Sequence, residues 1–317
     1  MRRLLALGFA LLLLLGGGMA VLGWRDYAAP GPLAAPAQLV VPRGGTEAIA
    51  GLLAEKQVIA SPWRFALAAW LTREDGPLRA GEFVFPAQAS LRDVLGVLRE
   101  GRMVQRRLTI PEGLTARQIS ALVDRAEGLS GETPAIAEGS ILPETYGYAL
   151  GDTRAGLVRR AATAMEAALA EAWANRAEGL PLNAPREALI LASIVERETG
   201  VAAERAQVAS VFVNRLRRGM MLQSDPTVAY VAGQGMPLER AISRADLDAA
   251  HPFNTYRIRG LPPGPIAMPG REALRAVTRP DATEYLFFVA DGTGGHAFAR
   301  TLEEHNRNVA RWRALGR

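Results

Sequence analysis

The segment from Leu4 to Trp24 constrains this chain more than any other, because it carries no charge and is interrupted only by small glycines. A helix needs about 20 apolar residues to cross the hydrocarbon core of a bilayer, so this segment can span one. Arg2 and Arg3 precede it, and positive charge stays on the cytoplasmic side of a membrane. We therefore expect a single-pass anchor in the inner membrane, with the N-terminus in the cytoplasm and the rest of the chain in the periplasm.

A cleaved signal peptide is the alternative interpretation of this segment. The run from Leu4 to Leu15 has the length of a signal-peptide core, and residues 18–20 (Gly-Met-Ala) place small residues where cleavage occurs. The length of the whole segment favours an anchor, formed by residues 1–25, rather than a signal peptide. In both interpretations the rest of the chain is exported. Residues 26–38 are rich in proline and alanine, so we expect an extended tether there.

The composition excludes several classes of protein. Hydrophobic residues make up 49% and charged residues 22%, which is typical of a globular chain and not of a disordered one. The chain has no cysteine, which excludes disulfides, thiolate metal sites and a cysteine nucleophile. The net charge is +5, but basic residues are dispersed among acidic ones, so we expect no nucleic-acid partner.

No cofactor and no metal are expected. The sequence contains no glycine-rich phosphate motif, which argues together with export against an ATP- or NAD-dependent enzyme. His296 and His305 do not have the spacing of metal ligands.

A strand–turn–helix pattern recurs in the first half of the chain. Residues 39–46 (LVVPRGGT) and 108–115 (LTIPEGLT) precede apolar residues at helical spacing, and a weaker copy starts at Gly81. The unit resembles the LysM module, which binds glycans that contain N-acetylglucosamine, although any small β-α unit needs the same glycine and helix cap. We interpret residues 39–105 as a LysM-like module and expect Trp63 and Trp70, which share a helical face, to lie in its core.

Glu196 is the strongest candidate for chemistry. The apolar run from Leu189 to Val195, broken only by Ser193, predicts a central buried helix. Glu196 lies on the face of Ser193, whereas Glu198 is on the other side and is expected to meet solvent. Burial disfavours the charged form of a carboxyl, and a carboxyl that keeps its proton near neutral pH can act as a general acid. An ordinary ion pair with an arginine is the alternative for Glu196.

Neutral hydrogen-bonding groups, which suit sugar hydroxyls and acetamides, follow this helix. Asp225, which lies between these groups in the chain, is expected to cap the next helix, with a proline in its first turn. The loop 260–270 is dense in proline and glycine, so it is neither helix nor central strand, and long loops of this type often line a cleft. The candidates for substrate binding are Gln223, Ser224, Thr227, Tyr230, Asn254 and Tyr256.

The order of elements predicts an α+β fold. Residues 285–290 and 296–299, joined by a glycine-rich turn, are typical of an antiparallel hairpin. Residues 301–304 (TLEE) form a capping box that opens the last helix. We therefore expect a membrane helix, the small β-α module, and a helix-rich catalytic domain with a short antiparallel sheet over residues 106–317.

Several motifs together resemble those of the MltG (YceG-like) endolytic murein transglycosylases. They run in one order from about residue 40 to the C-terminus: 109–113 (TIPEG), 142–146 (LPETY), 191–199 (LASIVERET), 222–230 (LQSDPTVAY), 253–270 and 291–306. Residues 140–141 and 251–253 depart from the family pattern, which affects the glycan contacts expected there.

The resemblance implies that Glu196 is the catalytic acid. Members of this family cleave the bond between N-acetylmuramic acid and N-acetylglucosamine inside peptidoglycan glycan strands, which ends strand elongation. They leave a 1,6-anhydro end without using water. Hydrolases usually need two carboxyls, whereas this sequence offers one well-placed buried glutamate and no obvious partner. The resemblance also implies cell-wall synthases, the penicillin-binding proteins, as partners. The alternatives are a hydrolytic muramidase and a non-catalytic glycan-binding scaffold for synthases.

Overall fold

The structure is a computed structural model that describes residues 16–19 and 21–315. The chain divides into two compact units: Met1–Arg106 with Ala149–Gly151, and Arg107–Tyr148 with Asp152–Arg317. Residues 16–19 and 21–28 are helical and form α1. The expected anchor falls mostly on residues 1–15 and 20, outside the described residues. Within the described part of the chain, no helix is both long and apolar enough to cross a membrane.

The first unit is a two-stranded antiparallel sheet packed against helices. Strands β1 and β2 pair with Leu39 opposite Phe83, and their inner faces join a core that includes the fully buried Leu53 and Phe65. Two helices separate the strands in the chain and one follows them. The elements are β1 (Ala37–Val41), α2 (Thr46–Glu55), α3 (Pro62–Leu71), β2 (Gly81–Phe85) and α4 (Leu91–Glu100).

The two tryptophans of α3 are not in the core, so that prediction was wrong. α3 buries Phe65 and Ala69, whereas Trp63 and Trp70 are 64% and 60% exposed. The tryptophans share a helical face as expected, but it is the face opposite the buried one. Apart from Arg64, the helix is apolar throughout, so its pattern does not indicate which side packs inward.

The second unit is rich in helices and contains two short sheets. Strand β3 pairs with β4, and β5 pairs antiparallel with β6 in the expected hairpin. This mixed architecture fits an α+β fold. The elements are β3 (Arg106–Thr109), α5 (Ala116–Asp124), β4 (Thr145–Tyr148), α6 (Arg154–Ala174), α7 (Pro185–Glu198), α8 (Arg205–Arg217), α9 (Asp225–Ala232), α10 (Arg244–Asp248), α11 (Arg271–Thr278), β5 (Phe287–Ala290), β6 (His296–Ala299) and α12 (Leu302–Ala314).

Helix α7 is central in this unit, as its sequence predicts. Leu191, Ile194 and Val195 have no exposed surface, and α7 packs against α6, α8, α9 and α11. A helical stretch that is almost wholly apolar, such as residues 188–195, is typical of a buried core helix. Side chains on opposite faces of its last turn therefore both meet protein.

The N-terminal cap of α12 is the one that the sequence predicted, whereas that of α9 is not. Thr301 and Glu304 form the expected capping box at α12. Asp225 is not the cap of α9, because Ser224 holds the N-cap position and Asp225 is the first helical residue. The Ser224 side chain makes no capping bond, since its hydroxyl is bonded to Glu198.

Candidate active site

The carboxyl group of Glu196 is held by a loop and by an arginine. It ends the buried face of α7, and its side chain is only 5% exposed. The backbone N–H of Gly270 donates to Glu196 Oε2 at 2.8 Å. Glu196 Oε1 lies 3.5 Å from Nη2 of Arg205, at the start of α8. One oxygen is therefore fixed by a directional backbone bond, and the other faces a positive charge.

The loop that carries Gly270 is braced along its length. The N–H of Ile266 donates to Oγ of Ser193 on α7, at 3.0 Å. The N–H of Met268 donates to the carbonyl of Leu114 at 2.8 Å, and the carbonyl of Met268 accepts from the N–H of Gly113 at 2.9 Å. The loop is therefore fastened alternately to α7 and to residues 113–114.

A second carboxylate, Glu112, lies beside Glu196, although the sequence offered no obvious partner. A Cβ at Gly270 would collide with the carboxylate of Glu112, so both carboxylates lie against the same glycine. Glu112 Oε2 is 4.0 Å from the same Nη2 of Arg205. The Glu112 side chain is 45% exposed, so it borders solvent.

The surroundings of Glu196 raise its pKa. Burial is the largest cause, and the nearby Glu112 carboxylate adds to it; the Gly270 N–H and the charges of Arg205 and Arg197 act in the opposite direction. The arginine pairing considered as the alternative for Glu196 is present, yet burial outweighs it. A carboxyl with a raised pKa can hold a proton for transfer to a leaving group.

Glu198 is only partly exposed, whereas helix periodicity predicted that it would meet solvent. Its Oε1 accepts a hydrogen bond from Oγ of Ser224, and burial raises the pKa of Glu198 to about 7. Asp225 raises this pKa further, while the Ser224 bond and the charge of Arg215 lower it. The loop before α9 covers this face of α7, which a single helix pattern cannot reveal.

Among the described residues, no hydrogen bond or ion pair joins any of the six candidate sugar-binding residues to the Glu196 carboxyl, whose partners are Gly270 and Arg205. Two of the six candidates use their polar atoms within the fold. Thr227 Oγ1 donates to the Ser224 carbonyl at 2.7 Å, and Asn254 Nδ2 donates to the carbonyls of Leu247 and Ala249 at 3.0 and 2.8 Å. Both side chains are buried, as is that of Ser224.

The other three candidates retain exposed surface. Gln223 is exposed, with a left-handed φ of 51°, and its Oε1 accepts from Arg215 Nη1 at 3.3 Å. Tyr256 donates its hydroxyl to Asp225 Oδ1 at 2.6 Å. Tyr230 lies with Arg197 on the wall of a small pocket, and burial raises the pKa of Tyr230 to about 12.

Neither histidine considered as a metal ligand is near a ligand set. Nδ1 of His296 is 2.8 Å from Oε2 of Glu204, and His305 stacks on Phe287 with ring centroids 5.2 Å apart. The residues that the structure describes contain no group of three metal-ligating side chains arranged around one point.

Known proteins are similar to this chain in sequence and in fold. A protein called endolytic murein transglycosylase from Bacillus subtilis is 37% identical over 175 residues, which are 54% of this chain and 46% of that protein. One of the same name from Streptococcus pneumoniae is 30% identical over 280 residues, 74% of this chain and 50% of its own length. The chain thus spans about half the length of these curated relatives.

The crystal structure of a YceG-like protein from Listeria monocytogenes superposes with a TM-score of 0.53 at 27% identity, covering 86% of this chain and 99% of that one. The sequence model of the YceG-like family matches residues 39–311. The motifs that meet at Glu196 lie within this match, and the chain belongs to the YceG-like family.

Proposed function

We propose that this protein is an endolytic lytic transglycosylase of peptidoglycan, with Glu196 as its single acid and base. The observation that carries the proposal is the carboxyl of Glu196, which is almost fully buried, has a raised pKa and is oriented by the Gly270 N–H. The names of the relatives support the same reaction class.

One carboxyl is enough for both proton transfers of this reaction. Protonated Glu196 donates its proton to the bridging oxygen, which leaves with N-acetylglucosamine as the bond from C1 of N-acetylmuramic acid breaks. The 6-hydroxyl oxygen of the muramic acid then bonds to C1, and its proton returns to the Glu196 carboxylate. The product is a 1,6-anhydro end, and no water is consumed. Arg205 stabilises the carboxylate between the two transfers, because its charge favours the ionised form.

Substrate contacts are proposed for the candidate residues that have exposed surface, which are Gln223, Tyr230 and Tyr256. Ser224, Thr227 and Asn254 are buried, so we assign them the role of holding the backbone that presents the other three. We further propose that the LysM-like unit contacts the glycan strand and that penicillin-binding synthases are partners. The chain would be held in the inner membrane by Leu4 to Trp24, cutting nascent strands and ending their elongation.

A hydrolytic muramidase is the second candidate, because Glu112 supplies the partner carboxylate that a hydrolase requires. Both carboxylates approach the same Arg205 nitrogen, at 3.5 and 4.0 Å. They are therefore no farther apart than the carboxyl pairs of inverting glycosidases, which span up to about 9.5 Å. In that reaction Glu112 would activate water, and the product would have a reducing end.

Product analysis separates these functions. The full-length protein in detergent is incubated with purified peptidoglycan, and the fragments are identified by mass spectrometry. Anhydro ends, one water lighter than reducing ends, are expected from the wild type and from Glu166→Gln, an exposed glutamate on α6 that serves as the matched control. Glu196→Gln should release no fragments while retaining the wild-type circular dichroism spectrum.

Other results of the product analysis would contradict the proposal. Reducing ends would replace the transglycosylase by the muramidase. Strand binding without any cleaved product would identify a glycan-binding scaffold. Anhydro products from Glu196→Gln would remove Glu196 from the mechanism.

A further inference from the structure

Helix α3 presents an apolar face that its own unit does not cover. Trp63, Leu67, Trp70 and Leu71 are 64%, 47%, 60% and 64% exposed. Leu22 and Trp24 of α1 are 65% and 62% exposed as well. Contiguous exposed apolar surface of this kind marks an interaction site for another molecule or for a membrane.

Helices α1 and α3 form the two sides of one groove. Asp26 Oδ1 accepts a hydrogen bond from Arg64 Nη1 at 2.6 Å, which ties the end of α1 to the start of α3. The groove has a volume of about 460 Å³. Its walls are largely apolar and include Met19, Gly23, Trp24, Trp63, Leu67 and Leu71.

The groove lies next to the segment that is expected to cross the membrane. Met19 and Gly23 belong to the uncharged segment from Leu4 to Trp24, which is long enough to span a bilayer. α3 lines the same groove as these two residues, so it lies beside the C-terminal end of that segment. If the segment spans, the exposed face of α3 must be at the lipid surface.

The chemistry of the face fits a bilayer interface. Arg64 lies 5.5 Å from the ring centroid of Trp63, and Arg73 lies 5.0 Å from that of Trp70. Tryptophan rings concentrate at the boundary between lipid headgroups and acyl chains, where a neighbouring arginine can reach the phosphates. Leu67 lies one turn after Trp63 and Leu71 follows Trp70. Neither leucine can donate or accept the hydrogen bonds that a glycan-stacking site would require.

We infer that α3 is an interfacial helix, whose face of Trp63, Leu67, Trp70 and Leu71 lies in the outer surface of the lipid bilayer beside α1. This contact gives the unit a second attachment besides the anchor and fixes its orientation relative to the membrane. The inference depends on the proposed anchor and not on the chemistry of Glu196.

The absence of cysteine in the natural sequence allows a direct test. Leu67→Cys carries an environment-sensitive fluorophore, and the full-length protein is reconstituted in phosphatidylethanolamine–phosphatidylglycerol vesicles that contain lipid spin-labelled near the headgroup. Val84→Cys is the matched control, because Val84 of β2 is apolar, is 50% exposed and belongs to the same unit. We expect several-fold stronger quenching at position 67 than at position 84.

Equal quenching at the two positions would overturn the inference, as would failure of the full-length protein to float with the vesicles. If position 67 is protected from aqueous iodide only when soluble glycan fragments are added, the face is a glycan site. If protection appears only at high protein-to-lipid ratio, the face binds a second copy of this chain. Repeating the quenching in a Glu196→Gln background separates the result from the proposed catalytic function, since the membrane contact does not use that carboxyl.

Discussion

The backbone N–H of Gly270 lies 2.8 Å from Oε2 of Glu196 and donates a hydrogen bond to it. The same glycine leaves room for Glu112, whose carboxylate occupies the space that a side chain at position 270 would need. A single residue without a side chain therefore orients one carboxyl and admits another beside it. The last turn of α7 carries a second carboxyl with a raised pKa, that of Glu198.

Gly270→Ala should displace Glu112 without straining the backbone. Gly270 has φ −78°, which alanine adopts freely, so the only conflict is the collision of the new Cβ with the Glu112 carboxylate. We expect a several-fold loss in the rate of anhydro-product release at pH 7, with an unchanged melting temperature. Gly45→Ala is the matched control, because Gly45 is also a helix N-cap glycine and has open space around it.

A double-mutant cycle then checks the cause. In a Glu112→Ala background the colliding atoms are absent, so Gly270→Ala should have little further effect. Fully additive losses would show that Gly270 acts through something other than Glu112.

Glu112→Gln should shift the pH dependence of the reaction to lower pH. The Glu112 carboxylate raises the pKa of Glu196, so removing its charge lowers that pKa. A general acid must be protonated to act, so activity is lost as pH rises through its pKa. The alkaline limb of the rate–pH profile should therefore move down, measured as initial rates of strand cleavage between pH 4.5 and 8. Glu166→Gln should leave the profile in place.

Arg205→Gln should shift the same limb in the opposite direction. The Arg205 charge lowers the pKa of Glu196, so its removal favours the protonated acid. The two variants should therefore shift the alkaline limb in opposite directions. General damage to the fold would not produce shifts of opposite sign. Shifts in the same direction for Glu112→Gln and Arg205→Gln would contradict the proposed electrostatic roles.

Ser193→Ala should loosen the loop that carries Gly270. The Ser193 hydroxyl accepts from the buried N–H of Ile266, and alanine would leave that N–H without a partner. An unsatisfied buried donor costs about 1–3 kcal/mol, which urea denaturation can measure. We expect this loss together with lower activity, because the donor to Glu196 loses its support. Ser120→Ala on α5, a position that is not buried, should change neither quantity.

Glu198→Gln should stabilise the protein at alkaline pH. Burial raises the pKa of Glu198 to about 7 from an ordinary value of 4.5, so the folded state holds this proton more tightly than the unfolded state. The contribution of Glu198 to stability is fully present below about pH 4.5 and is lost as pH rises through 7. The glutamine can still accept the Ser224 bond, and it never ionises.

The gain from Glu198→Gln should approach about 3 kcal/mol above pH 7 and vanish near pH 4. Urea denaturation of wild type and variant across this range provides the measurement. A gain that does not depend on pH would mean that Glu198 is not the titrating group. Glu166→Gln is again the control, since Glu166 is exposed.

The sequence was sufficient to predict burial where a residue's environment depends on the pattern of its own helix. The apolar run that ends at Val195 predicted a buried α7, and the burial of Glu196 follows from its place on that stripe. It was not sufficient for Glu198, because the group that covers it, Ser224, belongs to a segment whose packing is set by tertiary contacts. Periodicity assigns residues to faces but does not say how many faces are covered.

Two other errors have the same physical origin. Trp63 and Trp70 were correctly placed on one face of α3, but the core chose the opposite face through Phe65. Glu112 was noted only as part of a turn motif. Its proximity to Glu196 depends on the fold bringing residues 113–114 against Met268, which no local pattern encodes.

The paired bonds between Met268 and residues 113–114 have a mechanical consequence. They join the segment bearing Glu112 and the segment bearing the Gly270 N–H into one piece, while Glu196 belongs to the rigid helix beneath them. If a bound polysaccharide displaced either segment, the Gly270 N–H, which lowers the pKa of Glu196, and the Glu112 carboxylate, which raises it, would shift together. Occupancy of the surface above Glu196 would then change how tightly this carboxyl holds its proton.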